Sequence, residues 1–107
     1  MKLLLQGVGV CKGKVTGKAI VLKDLTNVPK VEDGCIIVTP FFTPLISILV
    51  SNAKAVLTDF GGVTSHAAVI AREFNIPCIV ALNQATSVIK DGQTICMDGD
   101  NGEVYEI

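Results

Sequence analysis

The chain has 107 residues, a net charge of −1 and a composition that is half hydrophobic. That length suits one domain with its own core, and that apolar content excludes a disordered linker. A near-neutral balance with no tryptophan and one tyrosine argues against a nucleic-acid binder, which needs a basic face and stacking rings.

Apolar stretches such as Leu45 to Val50 are far too short to cross a bilayer, so no membrane partner is expected. Met1 to Leu5 is soon followed by Gln6, Gly7 and Lys12 with no small-residue cleavage site, and it reads as a first strand rather than a signal peptide. Lys12, Lys14, Lys18 and Lys23 read as a solvated hairpin face. The cysteines Cys11, Cys35, Cys78 and Cys96 form no C-x-x-C pair, and three of them lie in apolar runs. This pattern predicts reduced thiols in a cytoplasmic protein, without a disulfide framework. With a single histidine and no clustered thiols, no metal site is expected.

The opening is β-rich, with strand-like runs at Lys2–Val10 and Lys14–Lys23 punctuated by glycines that permit bends. Asp24–Gly34 is polar and turn-rich and reads as a loop. Cys35–Thr39 is a short continuous apolar run, the pattern of a strand buried on both faces. Thr43 followed by Pro44 predicts a helix start, with the helix running from Pro44 to about Asn52. Lys54–Thr58 is the next buried strand, and Thr64–Asn75 the second helix. Asn75 suits the left-handed residue that closes this helix, with Pro77 just beyond. Cys78–Ala81 is a third buried strand, and Ala85–Ile89 a short helical turn. Gln93–Asp98 and Glu103–Ile107 pair as a hairpin around Asp100-Asn101-Gly102. Strands alternating with helices in the middle, flanked by antiparallel strands, predict an α/β domain with mixed parallel and antiparallel sheets.

Several motifs fail on inspection. Gly7-Val8-Gly9 lacks the third glycine and the following helix of a dinucleotide fingerprint. Gly13-Lys14 and Gly17-Lys18 lack the rest of a phosphate-binding loop. Asp98-Gly99-Asp100-Asn101-Gly102 has the wrong spacing for a calcium loop and reads as a turn.

The segment Asp59-Phe60-Gly61-Gly62-Val63-Thr64-Ser65-His66-Ala67-Ala68 survives the same test. A strand runs through a glycine turn into a helix start, which is an anion-binding arrangement. With Thr64 or Ser65 as N-cap, His66 lies in the first turn. The positive end of the helix dipole favours its neutral, nucleophilic imidazole and also stabilises a phosphoryl group once attached. Gly61 and Gly62 allow a sharp bend with room for a bulky donor, and Ala67 and Ala68 add little bulk. Ala67, Ala71 and Phe74 share a stripe that packs on a sheet. A histidine that merely caps or packs is the plainer alternative, but glycine turn, paired hydroxyls and helix start together favour chemistry.

The run from Gly61 to Pro77 resembles the phosphohistidine signature of the phosphoenolpyruvate-utilising enzymes, the family of phosphoenolpyruvate synthase and pyruvate phosphate dikinase. The resemblance extends to the glycine-punctuated opening Gly7–Gly17, to Val38–Pro44 and to the closing hairpin Asp91–Tyr105, so residues 1–107 read as one domain of that type. It implies a swivelling, three-layer β/β/α domain whose histidine carries a phosphoryl group between distant active sites. His66 matches the phosphorylated histidine, attacking through Nε2, with Thr64 and Ser65 as the neighbouring hydroxyls and Gly61, Gly62 and Ala67 at the phosphate-binding turn. Thr43 falls where some members place a hydroxyl near the imidazole. Arg72 matches a family arginine but points to another helix face, where a structural ion pair suits it. Cys11-Lys12, Phe41-Phe42, Asn75 and Ala81 depart from common family residues, which bears on the subfamily and leaves the histidine turn intact.

In full-length members such a domain works between an ATP-binding domain and a barrel that binds phosphoenolpyruvate and Mg²⁺. Nothing in these 107 residues supplies a nucleotide pocket or a Mg²⁺ site, so the expectation is a phosphoryl carrier that binds no cofactor itself. It is a phosphotransferase component, incomplete alone, acting as a separate subunit or as part of a larger enzyme, with Mg²⁺ on the partner domains. The alternative is a non-catalytic binding or regulatory module of the same fold. The dikinase resemblance further implies Thr64 as a candidate regulatory phosphorylation site.

Overall fold

A computed structural model describes residues 2–23, 33–42, 52–62 and 66–107. Among them run β1 (Lys2–Gln6), β2 (Val8–Cys11), β3 (Lys14–Val21), β4 (Cys35–Thr39), β5 (Ala53–Thr58), β6 (Cys78–Val80), β7 (Thr94–Asp98) and β8 (Glu103–Glu106). Helix α1 (His66–Phe74) joins β5 to β6, and α2 (Ala85–Val88) joins β6 to β7. The helix expected from Pro44 to about Asn52 lies, as far as residue 51, outside the described residues.

The strand order is β1-β8-β7-β3-β4-β5-β6-β2. The neighbours from β3 to β6 pair in parallel, whereas β1–β8, β7–β8, β3–β7 and β2–β6 are antiparallel. This is the mixed α/β arrangement read from the sequence. Side-chain alternation along the central strands separates two cores. Ile36, Val38, Leu57 and Ile79 share one cluster with Ile95, Met97 and Val104 of the antiparallel strands. Ile37, Val56, Cys78 and Val80, from the other face, pack with Ala67 and Ala71 of α1. The layers are therefore antiparallel strands, parallel strands and helix. Each large side chain fully buried in them contributes roughly 1.5–3 kcal/mol.

The run Lys2–Val10 is divided into two strands that lie at opposite ends of the strand order. The Gly7 N–H leaves the strand pattern to donate to the Gly102 carbonyl at 2.8 Å. Beyond it, β2 lies so close to the β7–β8 turn that a Cβ at Gly9 would overlap the Gly99 carbonyl oxygen. This corner is backbone packed on backbone, and side chains are excluded from it.

Helix α1 closes as expected. Asn75 adopts φ 55°, its N–H donates to the Arg72 carbonyl at 3.3 Å, and the Ile76 N–H reaches back to Ala71 at 3.0 Å. These are the two bonds of a Schellman motif. The expected packing stripe needs one correction: Ala67, Ala68 and Ala71 are buried, but Phe74 is 49% exposed. The left-handed turn at Asn75 swings Ile76 onto the cluster instead, where it packs beside Ala71.

Candidate functional site

Strands β4 and β5 end side by side, with Thr39 opposite Thr58 on the final rung. The pairing continues past both ends: the Asp59 N–H donates to the Thr39 carbonyl at 3.2 Å and the Phe60 N–H to Pro40 at 3.1 Å. Each buried threonine hydroxyl then turns onto its own strand's exit. Thr39 Oγ1 donates to the Phe41 carbonyl at 2.9 Å, and Thr58 Oγ1 to the Phe60 carbonyl at 3.0 Å. The two exits so aligned stack Phe41 on Phe60, with ring centroids 5.1 Å apart.

His66 is the first described residue of α1 and is exposed. The Phe42 ring lies 5.6 Å from the imidazole, tilted by 58°. Phe41, Phe42, Phe60, Gly61, His66 and Ala67 together line an open cleft of about 270 Å³. Ligand pockets run from roughly 300 to 1,000 Å³, so this cleft lies near the lower end of that range and has ample room for a phosphoryl group. Among the described residues, none that lines it is a lysine, arginine or carboxylate.

Three of the expected site residues meet in this cleft: His66, Gly61 and Ala67. Ala67 is buried at its floor. Gly61 has φ 133°, a conformation that side-chain-bearing residues rarely adopt. Gly62 is exposed, and no described atom lies within 4 Å of the place a Cβ would occupy. Thr43, Thr64 and Ser65 lie outside the described residues. Arg72 sits in the last turn of α1, away from the cleft-lining set.

The aromatic wall went unread in the sequence. Three of the four phenylalanines in the chain surround the single histidine, and that concentration was the available signal. Asp59 was also passed over. It is only 3% exposed; its Oδ1 accepts the Thr86 N–H at 3.1 Å and its Oδ2 the Thr86 hydroxyl at 2.6 Å. Among the described residues, no three histidine, cysteine or acidic side chains gather in a way that could hold a metal ion. Nor is any helix among them long and apolar enough to cross a membrane.

Comparison with known proteins gives this geometry a context. Residues 31–102 match the family model described as the mobile domain of PEP-utilising enzymes. Over 105 residues the chain is 42% identical to a probable phosphoenolpyruvate synthase of Archaeoglobus fulgidus, covering 98% of this chain and 14% of that protein. It is 38% identical to the phosphoenolpyruvate synthase of Pyrococcus furiosus, again over 98% of this chain but 13% of the relative. Among solved structures, an Enzyme I protein superimposes with a TM-score of 0.62 at 32% identity, covering 70% of this chain and 31% of that one. The chain thus corresponds to a small part of these much longer relatives. It belongs to the mobile-domain family of phosphoenolpyruvate-utilising enzymes.

Proposed function

We propose that this chain is a phosphoryl carrier, phosphorylated on His66 and passing that group between a nucleotide-binding site and a phosphoenolpyruvate/pyruvate site on partner domains or subunits. The observation that carries the reading is the exposed His66, in the first described turn of helix α1 and on the lining of an open cleft with room for a phosphoryl group. Family membership supports the same reading.

In the transfer step the lone pair of His66 Nε2 attacks the donor phosphorus. The P–N bond forms while the bridging P–O bond breaks, and its electron pair leaves with the donor oxygen. Nδ1 keeps its proton throughout. The positive end of the α1 dipole favours the added anion. The return step runs the same exchange toward the acceptor oxygen. Phosphoryl transfer also needs charge neutralisation, and the described lining residues contribute no cation. Mg²⁺ held by the partner domains would supply it. Thr64, Ser65 and Thr43 are proposed to assist with their hydroxyls, with Thr64 a candidate for regulatory phosphorylation. A cytoplasmic setting, where phosphoenolpyruvate and ATP are both available, suits this role.

The test is to incubate the chain with ATP and a nucleotide-binding partner, or with phosphoenolpyruvate and a barrel partner. Acid-labile phosphate on His66, absent in His66→Ala, is expected. A chain that takes no label from any competent partner is a binding or regulatory module instead.

A further inference from the structure

We propose that Asp59 is a positioning residue for the His66 cleft, holding the Phe60–Gly61 wall by latching the end of β5 onto α2. This rests on the carrier reading only for its effect on transfer.

A buried carboxylate is costly unless its oxygens are hydrogen-bonded. Both Asp59 oxygens are engaged, and by a single residue 27 positions away, through its N–H and its hydroxyl. The bond to the hydroxyl, at 2.6 Å, has the length of a charge-assisted one. The receiving helix has no cap of its own, because Gln84 at its N-cap makes no side-chain capping bond. Asp59 supplies that cap from another strand by accepting the N–H of Thr86 in the first turn.

The backbone around the latch is tied at the same place. The Asn83 N–H donates to the Asp59 carbonyl at 2.9 Å, and the Leu82 N–H to the Thr58 carbonyl at 3.2 Å. The segment so held contains Ala81 at φ 58° and Asn83 at φ 67°, conformations that persist only where surroundings impose them. On the other side, the Asp59 N–H is fixed to β4 through Thr39. Asp59 is thus pinned to β4, to the β6–α2 segment and to α2, and the next two residues along the chain are the Phe60 and Gly61 that line the cleft. The adjoining β5 positions Val56, Leu57 and Thr58 are all buried without a charge. An apolar residue would fill the space of Asp59, but it could not fix the direction in which the wall leaves the strand.

The test compares Asp59→Asn, Thr86→Val and Thr86→Ser with the wild-type chain. Thr86→Val keeps the N–H donor and the side-chain shape, so it isolates the hydroxyl bond and serves if Asp59→Asn does not fold. In Asp59→Asn and Thr86→Val, labelling of His66 from ATP through a nucleotide-binding partner should fall about tenfold. Labelling by phosphoramidate, a small donor that needs no docking, should stay within about twofold. The NMR signals of the Gly61 amide and the Phe60 ring should shift in both variants, and Thr86→Ser should restore signals and transfer. Unchanged Gly61 and Phe60 signals in folded variants overturn the proposal. So does a parallel loss of both labelling rates that tracks the unfolded fraction. A wild-type chain that accepts phosphate from phosphoramidate but from no partner would defeat the carrier reading, and the NMR comparison would still decide the role of Asp59.

Discussion

Thr39 and Thr58 face each other on the last rung of the β4–β5 ladder, and each hydroxyl donates to the carbonyl two residues further along its own strand. Two identical local bonds on adjacent parallel strands send the chains out in the same direction, and the Phe41–Phe60 stack results. Replacing either residue by valine keeps the shape and removes one hydrogen bond, at a cost of about 1 kcal/mol. Because the rungs touch, the double variant should depart from additivity by about 0.5 kcal/mol or more in urea denaturation. Additive losses would mean that the two rings are held independently.

The two turn glycines should respond differently to alanine. Gly61→Ala forces a side chain into φ 133° and should destabilise the chain by roughly 1–3 kcal/mol. Gly62→Ala meets open space and should stay within about 0.5 kcal/mol of wild type. If the carrier reading holds, Gly62→Ala nevertheless slows partner-dependent labelling, since its methyl group occupies the donor's approach. Denaturation midpoints and labelling rates on the same samples separate the two effects.

Burial pushes the Cys78 thiol from 9.0 up to about 12; neighbouring Cys11 adds to the rise and the Arg72 charge opposes it. Between those two values the folded chain holds a proton that the unfolded chain has released. Stability from this source is complete below about pH 9 and is lost as pH rises toward 12, by on the order of 4 kcal/mol over the whole window. Denaturant midpoints followed from neutral to alkaline pH should fall less steeply in Cys78→Ala than in wild type. Equal slopes would show that Cys78 ionises freely in the folded state.

The β1–β2 corner should tolerate no side chain. In Gly9→Ala the new methyl overlaps a backbone carbonyl of the β7–β8 turn, where no flexible side chain can yield. A loss of about 3 kcal/mol is expected, visible as a lowered melting temperature. Gly9 is not among the residues that line the His66 cleft, so phosphoramidate should still label whatever fraction remains folded.

Features that depend on neighbours in the chain were legible in the sequence. The positive-φ glycine at Gly61, the continuous burial of Cys35–Thr39 and the closure at Asn75 each follow from residue types or dihedral preferences spanning a few residues. Periodicity also gave Ala67 and Ala71 as the packing stripe, but it could not say where the chain would turn away, and Phe74 fell outside the core. Gly7 was readable as a bend, whereas the destination of the strand after it was not. Antiparallel β2 reaches β6 through contacts more than sixty residues apart in the chain.

The sequence by itself determined the local setting of His66: a single histidine, two preceding glycines and a helix, all carried by local backbone chemistry. Only the tertiary structure decided what surrounds it. Parallel pairing of β4 with β5 brings Phe41 and Phe42 to Phe60 and His66, and docking of β5 against α2 joins Asp59 to Thr86. The pairs Phe41–Phe60, Phe42–His66 and Asp59–Thr86 are 19 to 27 residues apart. Their meeting depends on strand order and register, which no short-range preference encodes.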